Sequence, residues 1–314
     1  MNSDSNFKTQ KKVIKRKIRK RRLKRWVKRT LISVLAFGCA FAAARFLFLK
    51  SAFSMKTAPA EYSDEEIYAY VHDRMLNTPS KHLSRIPVFA HRGFVEDSLY
   101  NSYQSFDLAL LSGCPQIELD VRSSSDGVLY VSHDENLKDI SASDWNISEH
   151  TSAELDGILM KNGEKLHRLS EVLERYRDQL IYLVEIKDEN PDPEPFLDAV
   201  RSHPELAENI QVQSFYAPVL ENIHNELPNM FVQYLINDSA KVNEALGYEW
   251  LDSLAIDQAI TSQDRINKIH EAGKEVWIWT VDDINNVHRY LSWNADGVIT
   301  DLESAVAVYK EYTE

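Results

Sequence analysis

From residue 86 onward, short runs rich in Val, Ile, Leu, Tyr and Phe alternate with stretches in which apolar residues recur every three to four positions. The first pattern predicts strands and the second amphipathic helices. Strands are expected at 87–90, 116–121, 128–132, 181–186, 210–214, 231–236, 253–256, 275–281 and 297–300, and helices at 103–111, 170–177, 218–226, 264–272 and 284–291. Such alternation favours an α/β fold with parallel strands joined by crossover helices, closed as a (β/α)8 TIM barrel over residues 86–314. Nine strands compete for eight places, and 253–256 is the expected extra. A doubly wound open sheet would carry a G-x-G-x-x-G loop after its first strand; the chain has nine glycines and no such loop.

The pattern before residue 86 is different. Residues 31–49 form an apolar run interrupted by Arg45, long enough for a helix crossing roughly 30 Å of hydrocarbon. Arg45 sits near the far end, where its long stem can carry the guanidinium to the interface. One N-terminal transmembrane helix is therefore expected to precede the barrel. Residues 1–30 would be a basic cytoplasmic tail and residues 50–85 a tether, with a short helix that Ser63 caps. A cleaved signal peptide is the competing reading, because Ala42, Ala43 and Ala44 are the small residues a signal peptidase accepts.

Charge supports this division. The net charge of −12 hides two halves: residues 1–60 hold seventeen Lys or Arg against the single acid Asp4. Basic residues immediately before an apolar run stay on the cytoplasmic side, which sends the barrel to the extracytoplasmic side of a single-pass membrane protein. No nucleic-acid partner is expected from the basic block, given that placement. The two cysteines, Cys39 and Cys114, exclude a disulfide framework.

Candidate chemistry gathers at strand ends, where barrel enzymes keep their sites. His91 and Arg92 follow the first strand, Glu118 and Asp120 lie in the second, His133 and Asp134 end the third, and Glu185 and Lys187 end the fourth. The i, i+2 spacing of Glu118 and Asp120 turns both carboxylates to one side of a strand, and the apolar residues Ile117, Leu119 and Val121 assign that side to the barrel interior. Two interior carboxylates repel unless one is protonated or a cation lies between them. With Glu185 they would make an oxygen-rich site for one divalent cation, Ca²⁺ or Mg²⁺. His91 and His133 suit an acid/base pair because imidazole titrates near neutrality. Arg92 and Lys187 offer positive charge to a phosphate. Each residue alone has a plainer reading, Asp134 as a turn cap for example; their joint occurrence at successive strand ends carries the argument.

The segment AHRGFVEDSLYNSYQSFDLALLSGCPQIELDVRSSSDGVLYVSHDENL resembles the signature half of glycerophosphodiester phosphodiesterase domains, and LHRLSEVL, LVEIK, VQSFYAPVLENI, VWIWTVDD and ADGVITD resemble later family blocks in order. The resemblance implies hydrolysis of a small-molecule or lipid-derived phosphodiester to an alcohol and glycerol 3-phosphate. It implies Glu118, Asp120 and Glu185 on the metal, His91 and His133 as acid and base, and Arg92 and Lys187 on the substrate phosphate. Trp279 would line the substrate's glycerol or headgroup side, or be a core aromatic. The sequence departs from the family's Pro-Glu-Asn-Thr at Leu99-Tyr100-Asn101-Ser102, where Tyr100 replaces a carboxylate; Glu96 and Asp97 are candidate substitutes. The resemblance leaves open a lysophospholipase D-type enzyme or a hydrolase of envelope glycerophosphate polymers. A catalytically weakened, membrane-tethered binding module is the reading that Tyr100 motivates.

Overall fold

A computed structural model describes residues 86–308 except 96–97 and 190–191. The basic tail, the apolar run 31–49, the tether, and the loop acids Glu96 and Asp97 lie outside these residues. Among the described residues, no helix is long and apolar enough to cross a membrane.

Nine strands form one sheet in the order β1-β9-β8-β7-β6-β5-β4-β2-β3, closed by pairing between β1 and β2. Their ranges are β1 Val88–Ala90, β2 Gln116–Ser123, β3 Leu129–Val131, β4 Ile181–Ile186, β5 Ile210–Ser214, β6 Val232–Ile236, β7 Ser253–Asp257, β8 Glu275–Trp279 and β9 Gly297–Thr300. Eight of them run parallel around a barrel, whereas β3 pairs antiparallel with β2 and stands outside the ring. This corrects two expectations. The extra strand is β3, and Ser253–Asp257 is a full barrel strand between β6 and β8. The physical reason was visible in the connection: Ser124-Ser125-Asp126-Gly127-Val128 is too short for a parallel crossover, which takes a dozen or more residues, and Asp-Gly is a hairpin signal. Gly127 adopts φ 83°, and its N–H donates to the Ser124 carbonyl at 3.0 Å, closing that hairpin.

Helices cover the barrel outside, with α1 at Tyr103–Leu111 following β1 and seven further α-helical segments down to Ile284–Ser292. Helices at Glu194–Arg201 and Ser239–Ala245 escaped the sequence pattern; both are short, eight and seven residues. Side chains alternate along each strand, so β2 sends Ile117, Leu119 and Val121 outward to the helix layer and Glu118 and Asp120 inward. The interior is plugged by Phe89, Ile181, Leu183, Leu235, Ala255, Trp277 and Ile299. Gly297 makes room for that plug, since a Cβ there would lie 2.2 Å from the Trp277 ring. A second apolar cluster, built around Tyr130, Leu137, Ile147 and Leu155, packs the segment that follows β3, and Leu99 and Tyr100 lean on it.

Candidate active site

Glu118, Asp120 and Glu185 meet at the C-terminal end of the barrel, all buried, with ligand oxygens within 4.8 Å of one another. Register brings them together, because Asp120 of β2 is the direct partner of Glu185 on β4. Glu118 is held through both oxygens: Oε2 accepts the Arg92 backbone N–H at 3.1 Å and Oε1 accepts Gln213 Nε2–H at 3.0 Å. Asp120 Oδ2 accepts Asn101 Nδ2–H at 2.8 Å and lies 3.1 Å from Arg92 Nε. Lys187 Nζ sits between the other two oxygens, 2.9 Å from Asp120 Oδ1 and 2.5 Å from Glu185 Oε1. These are close ion pairs, but poorly directed ones, so both oxygens remain buried without a well-formed hydrogen bond.

Three carboxyl groups therefore face two cationic side chains. Burial and the negative charge of Asp120 push the Glu185 carboxyl up to about 8, and the same two causes raise Glu118. Asp120 goes the other way: burial acts to raise it, but Lys187 and Arg92 outweigh burial and hold it well below the usual carboxylate range. A carboxyl that retains its proton near neutrality, as that of Glu185 does, is what a site short of positive charge produces. An all-oxygen donor set with two under-bonded oxygens fits a hard divalent cation such as Ca²⁺ or Mg²⁺.

A strained turn places Arg92. Arg92 and Gly93 both have positive φ, 53° and 74°, and a Cβ on Gly93 would lie 2.6 Å from Ser105, so only glycine fits there. The Arg92 carbonyl accepts Ser105 Oγ–H at 2.8 Å and the Asn101 N–H at 2.9 Å, while Ser102 caps α1 in a capping box with Ser105. The start of α1 thus clamps the turn, which frees the Arg92 backbone N–H for Glu118. The guanidinium lies 5.5 Å from the centre of the Tyr100 ring, in cation–π range.

The two imidazoles have opposite environments. His91 Nδ1 is 2.8 Å from Asp301 Oδ1, at the end of β9, and the Asp301 N–H donates to Asp282 Oδ1 at 2.9 Å. Burial alone would lower the His91 pKa, but the hydrogen bond to Asp301 and the charge of Glu118 outweigh it, and the net shift is upward. For His133 burial is again the largest cause and lowers the pKa; Asp120 opposes it, but Lys187 and Arg92 add to the lowering. His133 Nδ1 is 2.8 Å from Asp134 Oδ1, so Asp134 partners the imidazole. His133 reaches the mouth from the descending strand β3, the Ser132 N–H donating to the Asp120 carbonyl at 3.0 Å, which corrects the expectation of a third barrel-strand end.

A cavity of about 170 Å³ joins these groups. His91, Arg92, Glu118, His133, Glu185 and Lys187 line its polar side; Phe215, Leu235, Trp279 and Ile299 form an apolar wall. Asp120 lies directly behind, fully buried. Trp279 is on the cavity wall, its indole N–H donating to the Ala255 carbonyl at 2.8 Å and its ring meeting the edge of Phe215 at 5.3 Å. The eight residues His91, Arg92, Glu118, Asp120, His133, Glu185, Lys187 and Trp279 are thus at or immediately behind one cavity. Sequence reasoning did not single out Asp301 or Gln213. Asp301 carried a signal, an acid at the end of the last strand, whereas nothing local marked Gln213.

The model of the glycerophosphoryl diester phosphodiesterase family matches residues 91–302. A glycerophosphodiester phosphodiesterase of Bacillus altitudinis is 26% identical over 249 residues, covering 71% of this chain and 98% of that protein. The structure of a glycerophosphodiester phosphodiesterase from Thermotoga maritima is 30% identical with a TM-score of 0.58, covering 72% of this chain and 99% of that one. An Oleispira antarctica phosphodiesterase in complex with the product sn-glycerol-3-phosphate shares the fold at 22% identity and a TM-score of 0.66, covering 72% and 97% of the two chains.

Proposed function

This chain belongs to the glycerophosphoryl diester phosphodiesterase family, and we propose that it hydrolyses glycerophosphodiesters to an alcohol and glycerol 3-phosphate with a divalent cation and a His91/His133 acid–base pair. The enzyme class, a phosphoric diester hydrolase, follows from family membership. The observation that carries the finer reading is that two imidazoles with oppositely shifted pKa values line one cavity with a buried carboxylate cluster.

A cation held by Glu118, Asp120 and Glu185 would offset negative charge on the phosphoryl oxygens. Arg92 and Lys187 reach the same cavity and bind the phosphodiester electrostatically. His133, kept neutral, takes the proton of the nucleophile, the glycerol hydroxyl next to the ester; that oxygen bonds to phosphorus. The bond to the leaving alcohol breaks, and His91, kept protonated, donates its proton to the departing alkoxide. The cyclic phosphate is then opened by water with the roles reversed: His91 takes the water proton and His133 returns its proton to the glycerol oxygen. Trp279 and Phe215, on the apolar wall of the cavity, would face the substrate's glycerol or headgroup side.

A second reading rests on the apolar run at 31–49. An anchored enzyme with its barrel outside the membrane would work beside lysophospholipids or envelope glycerophosphate polymers. Turnover of glycerophosphocholine, a lysophospholipid and a glycerophosphate polymer by the full-length protein in detergent, with and without chelator, tests both readings. Cation-dependent release of glycerol 3-phosphate from the soluble diester is the expected result. Preference for the lipid or the polymer would favour the second reading, and no turnover of any substrate with no cation binding would leave a tethered binding module.

A further inference from the structure

One polar row runs through the barrel interior. In direct strand-to-strand register, Asp120 faces Glu185, Glu185 faces Gln213, Gln213 faces Gln233 and Gln233 faces Ser253. The first two sit in the carboxylate cluster; the last three are at most 1% exposed. Burying two amides and a hydroxyl here is costly unless each is paired. They are paired in sequence: Ser253 Oγ–H donates to Gln233 Oε1 at 2.9 Å, Gln233 Nε2–H to Gln213 Oε1 at 3.0 Å, and Gln213 Nε2–H to Glu118 Oε1 at 3.0 Å.

The direction of this chain is set at its Glu118 end. A Glu118 that binds a cation is ionised and only accepts, so in that state Gln213 turns its NH₂ toward it and its carbonyl toward Gln233. Gln233 must then donate with its NH₂ and accept with its carbonyl, and Ser253, as a hydroxyl, is able to complete the set. The remaining Glu118 oxygen is fixed by the Arg92 backbone N–H. With both oxygens tied, the carboxylate has one orientation, in which a ligand oxygen lies within 4.8 Å of those of Asp120 and Glu185.

We infer that Gln213, Gln233 and Ser253 are a positioning relay that holds Glu118 in the orientation in which it binds the divalent cation, Ser253 acting two residues removed from the ligand. The inference rests on the cation-dependent reading above. Partners that orient a metal ligand from behind are worth about 10- to 100-fold in metal affinity.

The test is calorimetric titration of the full-length protein with Ca²⁺ and, separately, Mg²⁺, without substrate, alongside thermal melting of the cation-free protein. Gln213→Leu is expected to weaken cation binding about tenfold or more, and Ser253→Ala several-fold, as an outer-layer partner would. Ser253→Thr, which keeps the hydroxyl, should restore the wild-type affinity, and this rescue separates positioning from packing. Should Gln213→Leu fail to fold, the Ser253 pair decides alone. Wild-type affinity in both Gln213→Leu and Ser253→Ala, or loss of melting temperature with unchanged affinity, overturns the relay while leaving the proposed function standing. If the wild-type protein binds neither cation, the relay and the cation-dependent reading fall together.

Discussion

His91 and Asp301, 210 positions apart in the chain, are joined by a 2.8 Å contact across the seam where the first and last barrel strands pair. Closure of the barrel is thus also what gives His91 its carboxylate partner. Asp301→Asn removes the charge and the stronger acceptor, so the His91 pKa should fall. A general acid works only while protonated, so the alkaline limb of the pH–rate profile should move to lower pH, with kcat/KM down about 10²-fold. An unmoved alkaline limb would show that Asp301 does not tune the acid.

His91→Ala and His133→Ala should each lower kcat by about 10²- to 10⁴-fold with little change in melting temperature, and the double variant should be scarcely worse than either single one, because the two act in one proton circuit. Near-wild-type turnover by either single variant rules out the pair.

Glu185 makes stability without cation depend on pH. Its folded carboxyl is raised to about 8 from the ordinary 4.5. Between those values the folded state holds a proton that the unfolded state has released, so this contribution is fully present below about 4.5 and is lost as pH rises through about 8. Urea melts of chelated protein from pH 5 to 9 should show declining stability, and saturating Ca²⁺ or Mg²⁺ should flatten the decline. A flat profile in chelator would contradict the charge shortage argued for the cluster.

Tyr100 gives Arg92 an aromatic face at the position where the resembled family has a carboxylate. Partly exposed cation–π contacts are worth about 0.5–1 kcal/mol. Tyr100→Ala should therefore raise KM for a soluble diester roughly two- to fivefold, while Tyr100→Phe keeps KM near wild type. Equal KM in all three proteins would mean that the ring does not position the guanidinium.

Gly297→Ala should destabilise the barrel by about 1–3 kcal/mol, because the added Cβ would overlap the ring of the buried Trp277. Chemical denaturation reads this directly; a loss below about 0.5 kcal/mol would mean the plug is looser than its packing suggests.

Much of this was fixed by local pattern. Period-two alternation in 116–121 is enough to put Glu118 and Asp120 inside, since a strand offers its side chains only two directions. The strands at Gln116–Ser123, Ile181–Ile186, Ile210–Ser214 and Gly297–Thr300 fall where the sequence pattern predicted them, the first and third through period-two alternation and the other two through nearly continuous apolar runs. The hairpin at Asp126-Gly127 is equally local, because a connection of that length cannot carry a parallel crossover. Tertiary structure alone decided the rest. Register set Gln213 beside Glu118 across 95 positions, and barrel closure set Asp301 beside His91; neither pairing leaves a periodic trace, because it depends on how separate strands are staggered around the ring. The sense of the imidazole shifts likewise comes from the three-dimensional arrangement of Asp301, Lys187 and Arg92, and a linear order of residues does not contain distances.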